Sequence, residues 1–285
     1  MKILPDLRIL GTLGVVLILA LLAFLWPRQG EALHAAGPGR SLAEYRVHRM
    51  PKDLPQVWRD ELANRLENSP EVSLLDPRAG DRVRELLSRV SWVDPASLEV
   101  VVDAPEGIQV HFRNRIPRFR LVRQGRRLGI ASQLGVVLPE GIPEDLARGL
   151  FAVELDPGSP VPAPGRACAD PVLQEAGRAL PELLALYHGL QLNLTGVRRR
   201  TGALPGEASL PAPLAFEFHD GGILNYGYAA STRAPGEPDP RVKYRRLARL
   251  LELFPELRGL SRIDLDLPRV RVWDEAGEEV ALPPI

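Results

Sequence analysis

Cysteine occurs once in the 285 residues, at Cys168. One thiol closes no internal disulfide and builds no structural zinc site. No histidine stands near it in sequence to act as a base, so it reads as a partly buried spectator. Lysine is nearly missing too. It stands only at Lys2, Lys52 and Lys243, and arginine carries almost all the positive charge. Net charge is zero, with 36 basic and 36 acidic residues, which removes any bulk attraction to nucleic acid. What remains is an ordinary globular composition, 45% hydrophobic and 25% charged, on a chain long enough for one large domain or two smaller ones.

The motifs of common active sites are also missing. There is no G-x-S-x-G, no phosphate loop, no dinucleotide fingerprint and no H-E-x-x-H. The five histidines (His34, His48, His111, His188 and His219) are scattered without ligand spacing. Asp264 and Asp266 share one strand face, as a general acid and base would, but no other part of such a site accompanies them. Arg198-Arg199-Arg200 reads as a solvated loop before it reads as a phosphate or lipid site. No enzyme activity, cofactor, metal, nucleic acid or small-molecule substrate is expected.

One long apolar run is present. Residues 9–26 carry no charge, and Ile9, Leu17 and Trp26 mark its start, middle and end. Roughly 18–20 residues of helix cross a hydrocarbon core, so the run predicts a membrane anchor, with Trp26 at the interface and Pro27 ending it. The competing reading is a cleaved signal peptide. Its best small-x-small site, Leu33-His34-Ala35, begins with a large residue. Lys2 and Arg8 precede the run, which places residues 1–8 in the cytoplasm as a short tail and the bulk outside it. Residues 27–41 read as a linker.

The rest predicts an α+β fold. Residues 43–50 alternate like a half-buried strand. Trp58, Leu62 and Leu66 then give one amphipathic helix, and Val83, Leu86, Leu87 and Val90 a second, with Asp81 as its N-cap. Strands at 98–102 and 108–112 follow, joined by a Pro-Gly turn. The order β-α-α-β-β fills residues 42–117. Residues 118–285 predict a mixed, mostly antiparallel β domain with flanking helices. Gln124-Gly125 marks a hairpin, Asp170-Pro171 and Asp239-Pro240 open helices, and 263–267 and 270–273 read as late strands. A late strand makes a good sheet edge, whose free N–H and C=O groups can accept a strand from a partner.

Several ordered pieces resemble one family. Val90-Ser91-Trp92-Val93 precedes a strand, a Pro-containing turn and a strand. Asn114-Arg115-Ile116-Pro117 leaves that unit. Gly135-Val136-Val137-Leu138 follows, and a helix ending in Leu253-Phe254-Pro255-Glu256-Leu257 leads to Ile263-Asp264-Leu265. With the apolar run and the β-α-α-β-β unit, this order resembles the bacterial cell-division proteins FtsQ and DivIB. The chain departs from the family pattern at Asp266, where Arg is usual, and at Leu267, often Tyr.

The resemblance implies that 42–117 is a POTRA domain, a small polypeptide-docking module. It implies a non-enzymatic scaffold of the division complex in the cell inner membrane. Its partners would be FtsB/FtsL-like coiled-coil proteins, docked by strand addition. Carried over by position, the docking stretch is 262–273, with Arg262, Asp264, Leu267, Arg269, Arg271 and Trp273 as its side chains. The alternative is another membrane-anchored POTRA protein, serving secretion or envelope assembly.

Overall fold

The computed structural model describes residues 42, 47–48, 54–74, 76–103, 107–142, 147, 149–201, 212–218 and 221–283. The chain divides into two compact units, Met1–Leu54 with Trp58–Arg113, and Pro55–Val57 with Asn114–Ile285.

In the first unit, β1 (Val47–His48), α1 (Gln56–Glu67), α2 (Ala79–Ser88), β2 (Glu99–Asp103) and β3 (Gly107–His111) follow in that order. β3 is central, parallel to β1 and antiparallel to β2. The stripe predicted on α1, Trp58, Leu62 and Leu66, is buried. Of the second stripe, Val83 and Leu87 are buried on α2, Leu86 is half-buried, and Val90 is buried just past the helix end. Trp92 stacks on Trp58 at 5.3 Å and meets Phe112 at 5.6 Å. The turn before it is fixed by Glu61, whose carboxylate accepts from Ser91 Oγ at 2.8 Å. Asp81 does not cap α2, because the helix starts earlier and leaves it in the first turn. The N-cap position is held by Arg78 without a side-chain cap bond, and Asp76 accepts from Arg78 N at 2.8 Å just before the helix. Of the strand expected at 43–50, Val47 and His48 fall in β1, and the other residues lie outside those described.

The second unit is one nine-stranded mixed sheet. Its strands are β4 (Pro117–Arg123), β5 (Arg126–Ser132), β6 (Val137–Leu138), β7 (Phe151–Glu154), β8 (Leu194–Arg199), β9 (Leu214–Phe218), β10 (Ile223–Gly227), β11 (Leu260–Asp264) and β12 (Arg271–Asp274). The order across it is β12-β11-β10-β9-β8-β7-β4-β5-β6. Gln124 and Gly125, both at positive φ, turn β4 into β5 as a two-residue hairpin requires. α3 (Pro171–Arg178) opens on Asp170, whose carboxylate accepts from Leu173 N at 3.0 Å. Pro181 lies in the restarted α4 (Leu180–Leu184), which relaxes into a π turn at Ala185–Gly189. α5 (Pro240–Leu253) opens on Asp239, which accepts from Arg241 N at 2.9 Å.

Register makes the two faces of this sheet chemically opposite. Leu121, Val153, Val197, Phe216, Leu224, Ile263 and Val272 are consecutive cross-strand neighbours from β4 to β12. All are buried in one core with Leu173, Ala176, Leu183, Leu247 and Leu250 from the helices. The next row, on the other face, runs Ala152, Gly196, Glu217, Ile223, Arg262 and Trp273. Alternation along each strand separates the two rows.

One expectation is corrected. The fold is α+β with a large mixed sheet, but no described helix is long and apolar enough to cross a membrane. The longest of them, α5, has 14 residues and a flank of arginines. At 1.5 Å per residue it spans about 21 Å, short of the roughly 30 Å hydrocarbon core. The run 9–26, with Ile9, Leu17 and Trp26, lies outside the described residues.

Candidate functional site at the C-terminal sheet edge

β12 is one of the two outer strands of the large sheet. Its backbone alternates. Trp273 and Arg271 lie opposite Arg262 and Asp264 of β11. Val272 O and Asp274 N turn outward and are engaged by residues 280 and 278. Beside this edge, on the open face, side chains of β10, β11 and β12 form a connected polar cluster. Arg262 grips Asp264 with two bonds of 2.9 Å. Asp264 also accepts from Asn225 Nδ2 at 2.6 Å. The Arg262 guanidinium lies 4.5 Å from the centre of the Trp273 ring, and that of Arg271 lies 5.2 Å away. Arg271 in turn forks onto Glu279 at 3.0 and 2.6 Å. That pairing holds the Glu279 carboxyl below the usual range.

The residues singled out from sequence therefore fall into three places. Arg271 and Trp273 are on the edge strand. Arg262 and Asp264 are one strand inward, where they back the Trp273 ring. Leu267 and Arg269 lie in the turn between β11 and β12, because Pro268 interrupts the alternation. That turn is held from α5, where Arg246 donates to Leu267 O at 2.9 Å.

Asp264 and Asp266 do not act as a pair. Asp264, almost fully buried, is committed to Arg262 and Asn225. Asp266 forms a buried ion pair with Arg200, 2.6 Å from Nε. Its other oxygen, Oδ1, has no hydrogen-bond partner among the described residues. Burial pushes this carboxyl up to about 6, against the pull of Arg200. A cavity of about 240 Å³ opens beside it, lined by Gly227, Tyr228, Glu237, Leu267 and Pro268 among others. Gly227 sits at φ 87°, and a Cβ there would come 2.1 Å from Glu237 Oε1. No larger residue fits without moving that carboxylate.

The arginine triplet is not a solvated loop. Arg198 lies 3.5 Å from Glu217, Arg199 donates to Asp156 at 2.8 Å, and Arg200 reaches Asp266.

Sequence reasoning missed the supports of the neighbouring loop, 228–238. Lys243 is 1% exposed, and its ammonium donates to Tyr226 O at 2.7 Å and Glu237 Oε1 at 2.5 Å. Desolvation lowers its pKa, and Glu237 opposes the shift. Glu237 accepts from Tyr228 N at 2.9 Å. Glu175 and Glu182 accept from Ala229 N and Ala230 N, each at 2.8 Å. Three helix and loop carboxylates thus bind N–H groups of the loop, those of Tyr228 and Ala229 being buried, as buried polar backbone requires. The one available signal was a lysine in a chain that otherwise uses arginine.

Among the described residues no group of three or more His, Cys, Asp or Glu is placed to hold a metal ion. Cys168 is buried, and desolvation raises its thiol pKa. No family model matches the chain, and no curated protein matches it.

Proposed function

We propose that the chain is a non-enzymatic docking scaffold of the bacterial cell-division complex, akin to FtsQ and DivIB, which accepts a strand from an FtsB/FtsL-like coiled-coil partner at β12. The observation that carries this reading is the edge position of β12, with the backbone of Val272 and Asp274 directed away from the sheet. Backbone pairing there supplies affinity without any catalytic group, and flanking side chains supply specificity. Arg271 and Trp273 are the nearest of these, with Arg262 and Asp264 holding the ring from behind. The β-α-α-β-β order of the first unit, with β3 between β1 and β2, is consistent with a second polypeptide-docking module. The reading includes a place at the cell inner membrane with the bulk extracytoplasmic, for which the uncharged run 9–26 is the support.

The test is crosslinking in dividing cells with a photoreactive residue at Arg271. Capture of a short coiled-coil division protein is expected. Val272→Pro should abolish that capture, because proline removes an outward donor from the edge. Capture of secretion components at this position, or of nothing, would move the chain to a different docking task.

A further inference from the structure

Both edges of the nine-stranded sheet are covered by the chain itself, and the two covers are built differently. At β6, Val137 N donates to Arg166 O at 3.0 Å, Gly165 N donates to Val137 O at 2.8 Å, and Cys168 N donates to Gly135 O at 2.9 Å. That cover ends in Cys168, which is 1% exposed and part of the main core. At β12 the cover is residues 278–280. Asp274 N donates to Glu278 O at 3.0 Å, Val280 N donates to Val272 O at 2.8 Å, and Glu279 lies opposite Trp273. Glu278 and Glu279 are exposed, and Val280 and Leu282 are only half-buried against the core. The side-chain tie is the Arg271–Glu279 pair, whose side chains are 49% and 47% exposed. Exposed pairs of this kind hold weakly and are screened by salt.

We propose that residues 278–282 fill, in the free protein, the place that a partner's strand takes, and that the partner is an extended segment of the same chemistry. This rests on the strand-addition reading of β12. The segment would run antiparallel to β12. It would set a carboxylate opposite Trp273 within reach of Arg271, as Glu279 does. It would set apolar side chains at the next position and two beyond it, as Val280 and Leu282 do. Binding then proceeds by exchange. The cover protects an edge that would otherwise pair indiscriminately, and it is loose enough to leave. Because only the uncovered fraction binds, the cover also weakens the apparent affinity for every strand that competes with it.

The experiment uses a labelled synthetic peptide of residues 277–283, titrated against the full chain, its Val280→Pro variant, and a chain ending at Asp274. Val280→Pro deletes the donor to Val272 O and changes no residue of β12. The full chain should bind the peptide weakly. The variant should bind it roughly three- to tenfold more tightly, the equivalent of one net hydrogen bond. The shortened chain should bind it at least as well as the variant. A peptide carrying Glu279→Lys should lose the gain. Equal binding by all three chains would overturn the cover while leaving strand addition at β12 standing. Binding by none of them, with circular dichroism of the full chain and Val280→Pro showing both folded, would overturn the cover and the acceptor edge together. Should the shortened chain unfold, Val280→Pro alone decides. A full-length dimer that becomes monomeric on shortening would assign the segment to a second copy and overturn the exchange within one chain.

Discussion

The two faces of the large sheet share one backbone and follow opposite rules. The covered face is a row of apolar cross-strand neighbours under α3, α4 and α5, and its side chains exclude water from the core. The open face carries Glu217, Arg262, Asp264, Arg271 and Trp273, and each charge there is matched within the sheet or by residues flanking it. Burial of apolar area drives folding without specifying direction. Paired charges add little net stability, but they fix where a ring or a backbone edge points. A surface built to receive another strand needs the second property as much as the first.

The largest expected effect breaks the covered side at the buried Lys243. Lys243→Met keeps the side chain's bulk and removes the ammonium. It leaves Glu237 buried without its cation and strips a donor from Tyr226 O. Removing one partner of a buried pair costs about 3–5 kcal/mol. Urea unfolding of the variant should show a loss of that order. A loss near zero would mean that Glu237 takes up a proton or moves out to water.

The next effect sharpens the contrast through pH, at a buried carboxylate just past the end of β11. The Asp266 carboxyl stands at about 6 against an ordinary 3.8. Its folded pKa is raised, so the folded state binds the proton more tightly than the unfolded chain. The stability this contributes is fully present below pH 3.8 and is lost as pH rises through about 6. The span corresponds to at most about 3 kcal/mol. Asp266→Asn removes the titration and should flatten this part of the stability profile, whatever it does to the absolute value through Arg200. An unchanged slope between pH 4 and 6.5 would place the titrating group elsewhere.

Much of this architecture was legible because its causes are local. Gln124-Gly125 is a turn wherever it occurs between alternating runs, and Asp170-Pro171 and Asp239-Pro240 cap helices through their own neighbours. The helical stripes of α1 and α2 follow from spacing alone. The supports of the candidate site were not legible, because their partners come from distant strands and helices. Arg200 meets Asp266, Asn225 meets Asp264, and Glu175 meets Ala229 only after the sheet and α3 have formed. The positions of Leu267 and Arg269 were misread for a different reason. They were carried over by position from the resemblance, and Pro268 between them donates no ladder hydrogen bond and marks a turn rather than a strand. The uncharged run 9–26 belongs to neither group, since it lies outside the described residues.

The smallest effect concerns the ring that joins the open face to the edge. Trp273 lies against Arg262 at 4.5 Å and Arg271 at 5.2 Å, with the ring half-buried. Arg262 is also held by two bonds of 2.9 Å to Asp264, which do not involve the ring. Trp273→Ala therefore removes a stacking surface without stranding a charge. A cation–π contact at a partly exposed site is worth about 0.5–1 kcal/mol. A double-mutant cycle of Arg262→Ala and Trp273→Ala, read by urea unfolding, should return a coupling energy in that range. Coupling indistinguishable from zero would mean that the guanidinium is positioned by Asp264 alone. Trp273 would then be free to reorient toward an incoming strand, and the edge would be specified by its backbone rather than by its side chains.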